Sequence, residues 1–250
     1  MCKQDWRSTL FLVLYGLSYI FASDLPPEIQ KCKAGDRKCI TERINEIIRL
    51  YPKGNPTFGL DDFSLIKLNK ITAARKSSNS PVQLNFILSN LELRGIEKLT
   101  MFSSKGFVKD IQNIELDFNI PLLRINSLYE LDGKLLLLPI KGKGNVEIIL
   151  KDAHYVVTAD IDLENRQGKN YIKFNKLVSV VKPKGTIFNF ENLFDGNKEL
   201  TDATNKVLTD SWQDVWSELG KDFNQAFADA VLLILTPIAD AISYDDYFAN

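Results

Sequence analysis

Ile187-Phe188-Asn189-Phe190-Glu191-Asn192-Leu193-Phe194-Asp195-Gly196-Asn197-Lys198-Glu199-Leu200, running straight into Asp202–Gly220, decides the fold. An aromatic strand stops at the turn Asp195-Gly196-Asn197, and the hydrophobic period there changes from strand-like to helical. Leu200, Ala203, Val207, Leu208, Trp212, Val215, Trp216, Leu219, Phe223, Ala226, Phe227 and Ala230 keep one helical face apolar for about nine turns. Gly220 is placed to bend this helix, and Pro237 to end or kink it. A helix of about 35 residues reaches on the order of 50 Å. That exceeds an ordinary compact domain, so something long must cover its apolar side. A curved antiparallel sheet wrapped lengthwise around the helix is the economical answer.

The middle of the chain supplies such a sheet. Ile114, Leu116, Phe118 and Ile120 alternate with Glu115, Asp117 and Asn119, and Val157, Ala159, Ile161 and Leu163 with Thr158, Asp160, Asp162 and Glu164. Val82, Leu84, Phe86 and Leu88 are also spaced by two. Period two with charge on the off-beat marks half-buried antiparallel strands. Lys76–Pro81, Ser103–Gly106, Asp132-Gly133, Gly142–Asn145 and Asn165–Gly168 have turn chemistry. From Phe63 to Phe190 this predicts about eight to ten strands with no intervening helix.

At the N-terminus, Lys3 and Arg7 precede a short apolar run from Leu10 to Leu17, with Ala22 at a cleavage-compatible position. Residues 1–22 therefore read as a secretory signal peptide and 23–250 as one mature domain, extracellular and without stable membrane insertion. Removing Lys3, Arg7 and Asp5 leaves 29 basic and 31 acidic residues, a net charge of −2. Such a balance argues against a nucleic-acid surface. Cys2 leaves with the leader, so Cys32 and Cys39 remain, and an even pair in a secreted chain is most simply a disulfide. Asp36 can cap a helix inside the cysteine loop, whose stripe is Ile40, Ile44, Ile47 and Ile48. Glu42, Arg43, Asn45, Glu46 and Arg49 fill its other face, and Pro52-Lys53-Gly54-Asn55-Pro56 ends it.

Catalytic motifs are missing: there is no G-x-S-x-G, H-E-x-x-H, P-loop or G-x-G-x-x-G. Asp160, Asp162 and Glu164 share one strand face and read as solvated exterior rather than a calcium or acid–base cluster. His154, the single histidine, has no partner that the sequence identifies. Two thiolates and one distant histidine do not make a metal site. The chain reads as neither an enzyme nor a cofactor protein. An inside rich in Phe, Leu, Ile and Val is either a core or, where sheet and helix leave a gap, a cavity for a lipophilic guest.

Ordered motifs along the mature chain resemble the insect juvenile-hormone-binding and takeout-like family. They are Leu25-Pro26-Pro27-Glu28-Ile29-Gln30-Lys31-Cys32 with Cys39, then Gly59-Leu60-Asp61-Asp62-Phe63, then Leu91–Gly95. Tyr129-Glu130-Leu131-Asp132-Gly133-Lys134 and Leu138-Pro139-Ile140-Lys141-Gly142-Lys143-Gly144 match its central pattern, and Asn192–Leu200 with Trp212 is the most specific match. The resemblance implies an α+β fold of the lipid-binding-barrel type, a long C-terminal helix wrapped by a highly curved antiparallel sheet around an elongated apolar tunnel. It also implies a secreted, monomeric carrier of small hydrophobic ligands, terpenoid-hormone-like or fatty-acid-like. The chain departs from the hormone carriers in keeping one cysteine pair rather than two. Ile161 also stands in the strand after His154 where a tyrosine for an epoxide would be sought. Both departures favour the takeout-like branch. Candidate tunnel residues are Leu84, Phe86, Leu116, Phe118, Val157, Ile161, Phe174, Phe188, Trp212, Trp216 and Phe223. The alternative is a secreted signalling protein that works through a protein partner, its interior being core.

Overall fold

A computed structural model describes residues 25–75, 84–135 and 138–249. The leader at 1–22 and the turn at Lys76–Pro81, with Val82, lie outside the described residues.

Helix α1 (Arg37–Leu50) begins where its cap predicts, the Asp36 carboxylate accepting the Cys39 amide at 3.1 Å. The Cys32–Cys39 disulfide closes the loop around this cap, with the two Cα atoms 5.8 Å apart.

Among the described residues, seven strands then make one open, curved antiparallel sheet. Its spine is the pair β4 (Asn113–Leu135) and β5 (Leu138–Arg166), in register from Asn113↔Asp160 to Leu135↔Leu138. Each spine strand serves two partners in succession. Along β4 these are β3 (Thr100–Lys105) and then β2 (Leu84–Arg94), with β1 (Leu65–Arg75) beyond it. Along β5 they are β7 (Gly185–Phe190) and then β6 (Lys169–Lys182). Where β5 passes from one partner to the other, Asp152 adopts a left-handed backbone at φ 45°. Lys184 and Asn119 donate to its carboxylate at 2.5 and 2.8 Å and hold that carboxyl below the usual range.

The strands are fewer than the eight to ten expected because they are longer. Asp132-Gly133 and Gly142–Asn145 are not turns: Gly133 pairs with Ile140, Gly142 with Leu131 and Gly144 with Tyr129. Glycine is needed there for close approach. A Cβ on Gly142 would lie 2.8 Å from the Tyr129 hydroxyl and 2.9 Å from the Asn192 carbonyl, and one on Gly144 would lie 2.9 Å from the Glu191 carbonyl. The chain leaving β7 crosses β5 over these two residues.

The long helical stretch is two helices, α2 (Lys198–Asp210) and α3 (Trp212–Ala241), rather than one. Asn197 caps α2 by accepting the Leu200 amide at 3.0 Å. The break falls at Ser211, not Gly220, because Thr209, Asp210 and Ser211 are three weak helix formers in a row. Gly220 instead lies under the Trp216 indole, whose Nε1 would be 3.1 Å from an added Cβ. Pro237 does not end the helix, which continues to Ala241. The backbone at Gly59 packs on the Pro237 carbonyl, only 2.2 Å from where a Gly59 side chain would begin. Between α3 and the sheet, Leu88, Leu123, Leu150, Val157, Leu219, Phe223 and Ile242 form a buried core. The C-terminus folds back onto the cysteine loop, where the Ala249 amide donates to the Cys32 carbonyl at 2.9 Å.

Candidate functional site

A cavity of about 270 Å³ lies inside this frame, among α1, the sheet and the second half of α3. From α1 come Ile40, Ile44, Ile47 and Ile48, the whole apolar stripe read from the sequence. From the sheet come Ile114, Leu116, Phe118, Ile120 and Leu123 of β4, Tyr155 of β5, and Ile172 and Phe174 of β6. Phe227, Ala230, Val231, Ile234, Leu235 and Ile238 of α3 form the opposite wall. Tyr247 and Phe248 of the returning C-terminus, Leu25, Ile29, Lys31 and Cys32 of the N-terminal segment, and Phe58, Leu60, Phe63 and Met101 also line it.

Polar contacts outside the cavity hold its walls. Asn45 clamps α1 to β3, donating to the Met101 carbonyl at 2.9 Å and accepting its amide at 2.8 Å. The Thr41 and Ser104 hydroxyls meet at 2.9 Å beside this clamp. Lys169 pairs with Asp246 at 2.6 Å, the Asn170 amide donates to Asp245 at 2.9 Å, and the Tyr244 hydroxyl donates to the Val108 carbonyl at 2.8 Å. These bonds tie down the C-terminal segment that carries Tyr247 and Phe248.

The cavity surface is almost wholly carbon, and two polar atoms of lining residues are buried behind it. The Tyr155 hydroxyl and the Arg43 Nε–H are both buried without a hydrogen-bond partner. Tyr155 stacks on Phe118 with ring centroids 5.1 Å apart and meets the edge of Phe227 at 5.5 Å. Burial pushes its phenol far above the ordinary tyrosine value. A buried polar group left unbonded costs on the order of 1–3 kcal/mol.

Among the candidate tunnel residues, Leu116, Phe118 and Phe174 line this cavity. Phe86, Val157, Ile161, Phe188 and Phe223 are buried outside its lining. Phe86 and Phe188 gather around Phe190, at 5.9 and 6.5 Å, with Tyr129 edge-on to the same ring at 4.9 Å. Burial raises the Tyr129 phenol to about 12, and its hydroxyl donates to the Glu191 carbonyl at 2.5 Å. Trp212 and Trp216 are half-buried at the start of α3; Trp216 stacks on Phe223 at 5.6 Å and donates to the Val181 carbonyl at 3.3 Å. Leu84 opens β2, and its side chain lies outside the described residues.

The sequence reading missed Tyr155, although extending the inward beat of Val157, Ala159 and Ile161 back by one step reaches it. Arg43, set on the face of α1 away from the isoleucine stripe, is part-exposed and also borders the cavity. Asp160, Asp162 and Glu164 are exposed. His154 does have a partner, Asp117 at 2.6 Å, and lies beside Phe102 on the outer side of the sheet. Among the described residues no group of three or more His, Cys, Asp or Glu is placed to hold a metal, and no helix is long and apolar enough to cross a membrane.

A family profile described as haemolymph juvenile hormone binding protein (JHBP) matches residues 9–249. The circadian clock-controlled protein daywake of Drosophila melanogaster is 29% identical over 252 residues, covering 96% of this chain and 97% of its own. The Drosophila yakuba daywake is 27% identical over 229 residues, covering 89% and 88%. The crystal structure of Epiphyas postvittana Takeout 1 superposes with a TM-score of 0.77 at 25% identity, over 89% of this chain and 100% of that one.

Proposed function

Because the chain belongs to the haemolymph juvenile hormone binding protein family, we propose that it is a secreted, monomeric carrier of one small lipophilic ligand, held without catalysis between α1, the sheet and α3. The observation that carries this reading is the cavity of about 270 Å³ with carbon walls. Water finds almost nothing to bond there, whereas apolar cavities of about 150 Å³ already take up benzene. The volume lies near the lower end of the roughly 300–1,000 Å³ of ligand pockets, which suits a single hydrocarbon chain or a short isoprenoid rather than a two-chain lipid.

The magnitudes agree with reversible carriage. Burying fifteen carbons at ~0.8 kcal/mol each gains about 12 kcal/mol. Loss of free motion removes about 4 kcal/mol or more. The remainder of about 8 kcal/mol corresponds to a Kd near 1 μM. A carrier needs no tighter hold, and a pocket built mainly of aliphatic side chains discriminates chiefly by length and shape.

Displacement of a neutral fluorescent lipid from delipidated mature protein tests the reading. Saturable displacement by terpenoids or long-chain lipids at one site per chain is the expected result. No displacement across a broad panel would refute carriage and leave a protein that works through a protein partner.

A further inference from the structure

Resting on the carrier reading, we infer that the contact between Tyr155 and Phe227 is a stop that fixes how long a guest's hydrocarbon chain can be. Among the described residues, none of α3 before Phe227 lines the cavity, and of β5 only Tyr155 does. Their rings meet edge to face at 5.5 Å, joining sheet to helix across the interior. Phe118 stacks on Tyr155 at 5.1 Å with the two planes almost parallel, which holds the tyrosine ring in its orientation. Behind the pair the interior is packed. Phe223 lies 6.5 Å from Phe227, Trp216 stacks on Phe223 at 5.6 Å, and neither these two nor Val157 reach the lining. On β4 the lining runs on to Leu123 and ends there, since Ile125, the next inward residue, is buried off it.

Two features of the chamber give the length. Its α3 wall runs from Phe227 to Ala239, about 18 Å at a rise of about 1.5 Å per residue. An extended hydrocarbon advances about 1.25 Å per carbon when its bonds are about 1.5 Å long, so this wall seats about fourteen carbons. The volume gives a similar figure: a cavity of about 150 Å³ takes up six-carbon benzene, so 270 Å³ scales to about eleven carbons. A chain that reaches the stop must push packed rings aside to go further, and a close-packed interior resists even one added methylene. Methylenes beyond that number stay outside the chamber and add nothing to the affinity.

The test uses the n-alkanols from octanol to octadecanol as competitors for N-phenyl-1-naphthylamine on delipidated, full-length mature protein. In the unaltered protein affinity should rise about fourfold per methylene. The rise should level off between about eleven and fourteen carbons. Phe227→Ala should move this break to longer chains by about two to six carbons, six being the ring removed and fewer where the wall relaxes. Phe227→Leu, which keeps an apolar side chain on α3, should move it the same way by about one to three carbons and serves if the larger deletion does not fold. Decanol fits short of the stop, so it should bind parent and variants to within about threefold, which also reports that the variants are folded. A rise that continues through octadecanol in the unaltered protein, or a break that neither Phe227 variant moves to longer chains while decanol still binds, would overturn the stop and leave the carrier reading intact. Displacement by no alkanol would remove both.

Discussion

Tyr155→Phe should make the ligand-free protein more stable. The substitution removes one buried oxygen that has no hydrogen-bond partner and leaves the ring, which is stacked on Phe118 at 5.1 Å and edge-on to Phe227 at 5.5 Å. Relief of an unbonded buried hydroxyl is worth on the order of 1–3 kcal/mol. The space vacated is smaller than a methyl group, so the packing loss is a fraction of the ~1 kcal/mol per methylene seen in cores. A net gain of about 1–2 kcal/mol should raise the melting temperature by about 2–8 °C for a chain of this size. Differential scanning calorimetry on delipidated protein and variant measures it. A fall of several degrees in the ligand-free variant would refute the reasoning, because it would mean the hydroxyl is already satisfied.

Alkaline solution should destabilise the fold. Burial raises the phenols of Tyr155, Tyr244 and Tyr247, which stay protonated in the folded chain while the same groups ionise near pH 10 when unfolded. Their stabilisation is complete below that pH and is lost as pH rises toward the folded values, so denaturant midpoints should decline above about pH 10. Gly59→Ala should cost more than about 2 kcal/mol by thermal unfolding, since Gly59 has φ +78° and its Cβ would meet the Pro237 carbonyl at 2.2 Å. Reducing the Cys32–Cys39 bond should cost about 2–3 kcal/mol by the loop-closure estimate, and a thiol assay on the unreduced, unfolded mature chain should find no free sulfhydryl.

Much of the fold was legible because alternation and helical period report which face of an element is buried. The inward phase of Leu116 and Phe118 was legible that way, as was the Ile40, Ile44, Ile47 and Ile48 stripe. Periodicity does not report how far the opposing element stands away. Val157 and Phe118 sit on neighbouring strands with equal inward phase, yet only Phe118 borders the cavity. That difference is set by where α3 approaches the sheet, which is a long-range property. Glycine misled for a related reason. At Gly142 and Gly144 it serves the chain at Glu191–Leu193 passing overhead, and composition does not separate close approach from a turn. That Arg43, on the polar face, also borders the cavity was not legible, because a long charged side chain lays its stem along apolar surface while its head stays partly exposed.

Native mass spectrometry of the mature protein and of Ala230→Trp reports whether the chamber between α1 and α3 holds a guest. Ala230 is buried in the α3 wall of the cavity, and an indole there would occupy the guest's space. A single lipid adduct per chain is expected on the unaltered protein, recovered after delipidation and reloading, and absent from the folded variant. Protein that stays at its apo mass in excess lipid, or a variant that binds as well as the parent, would contradict it.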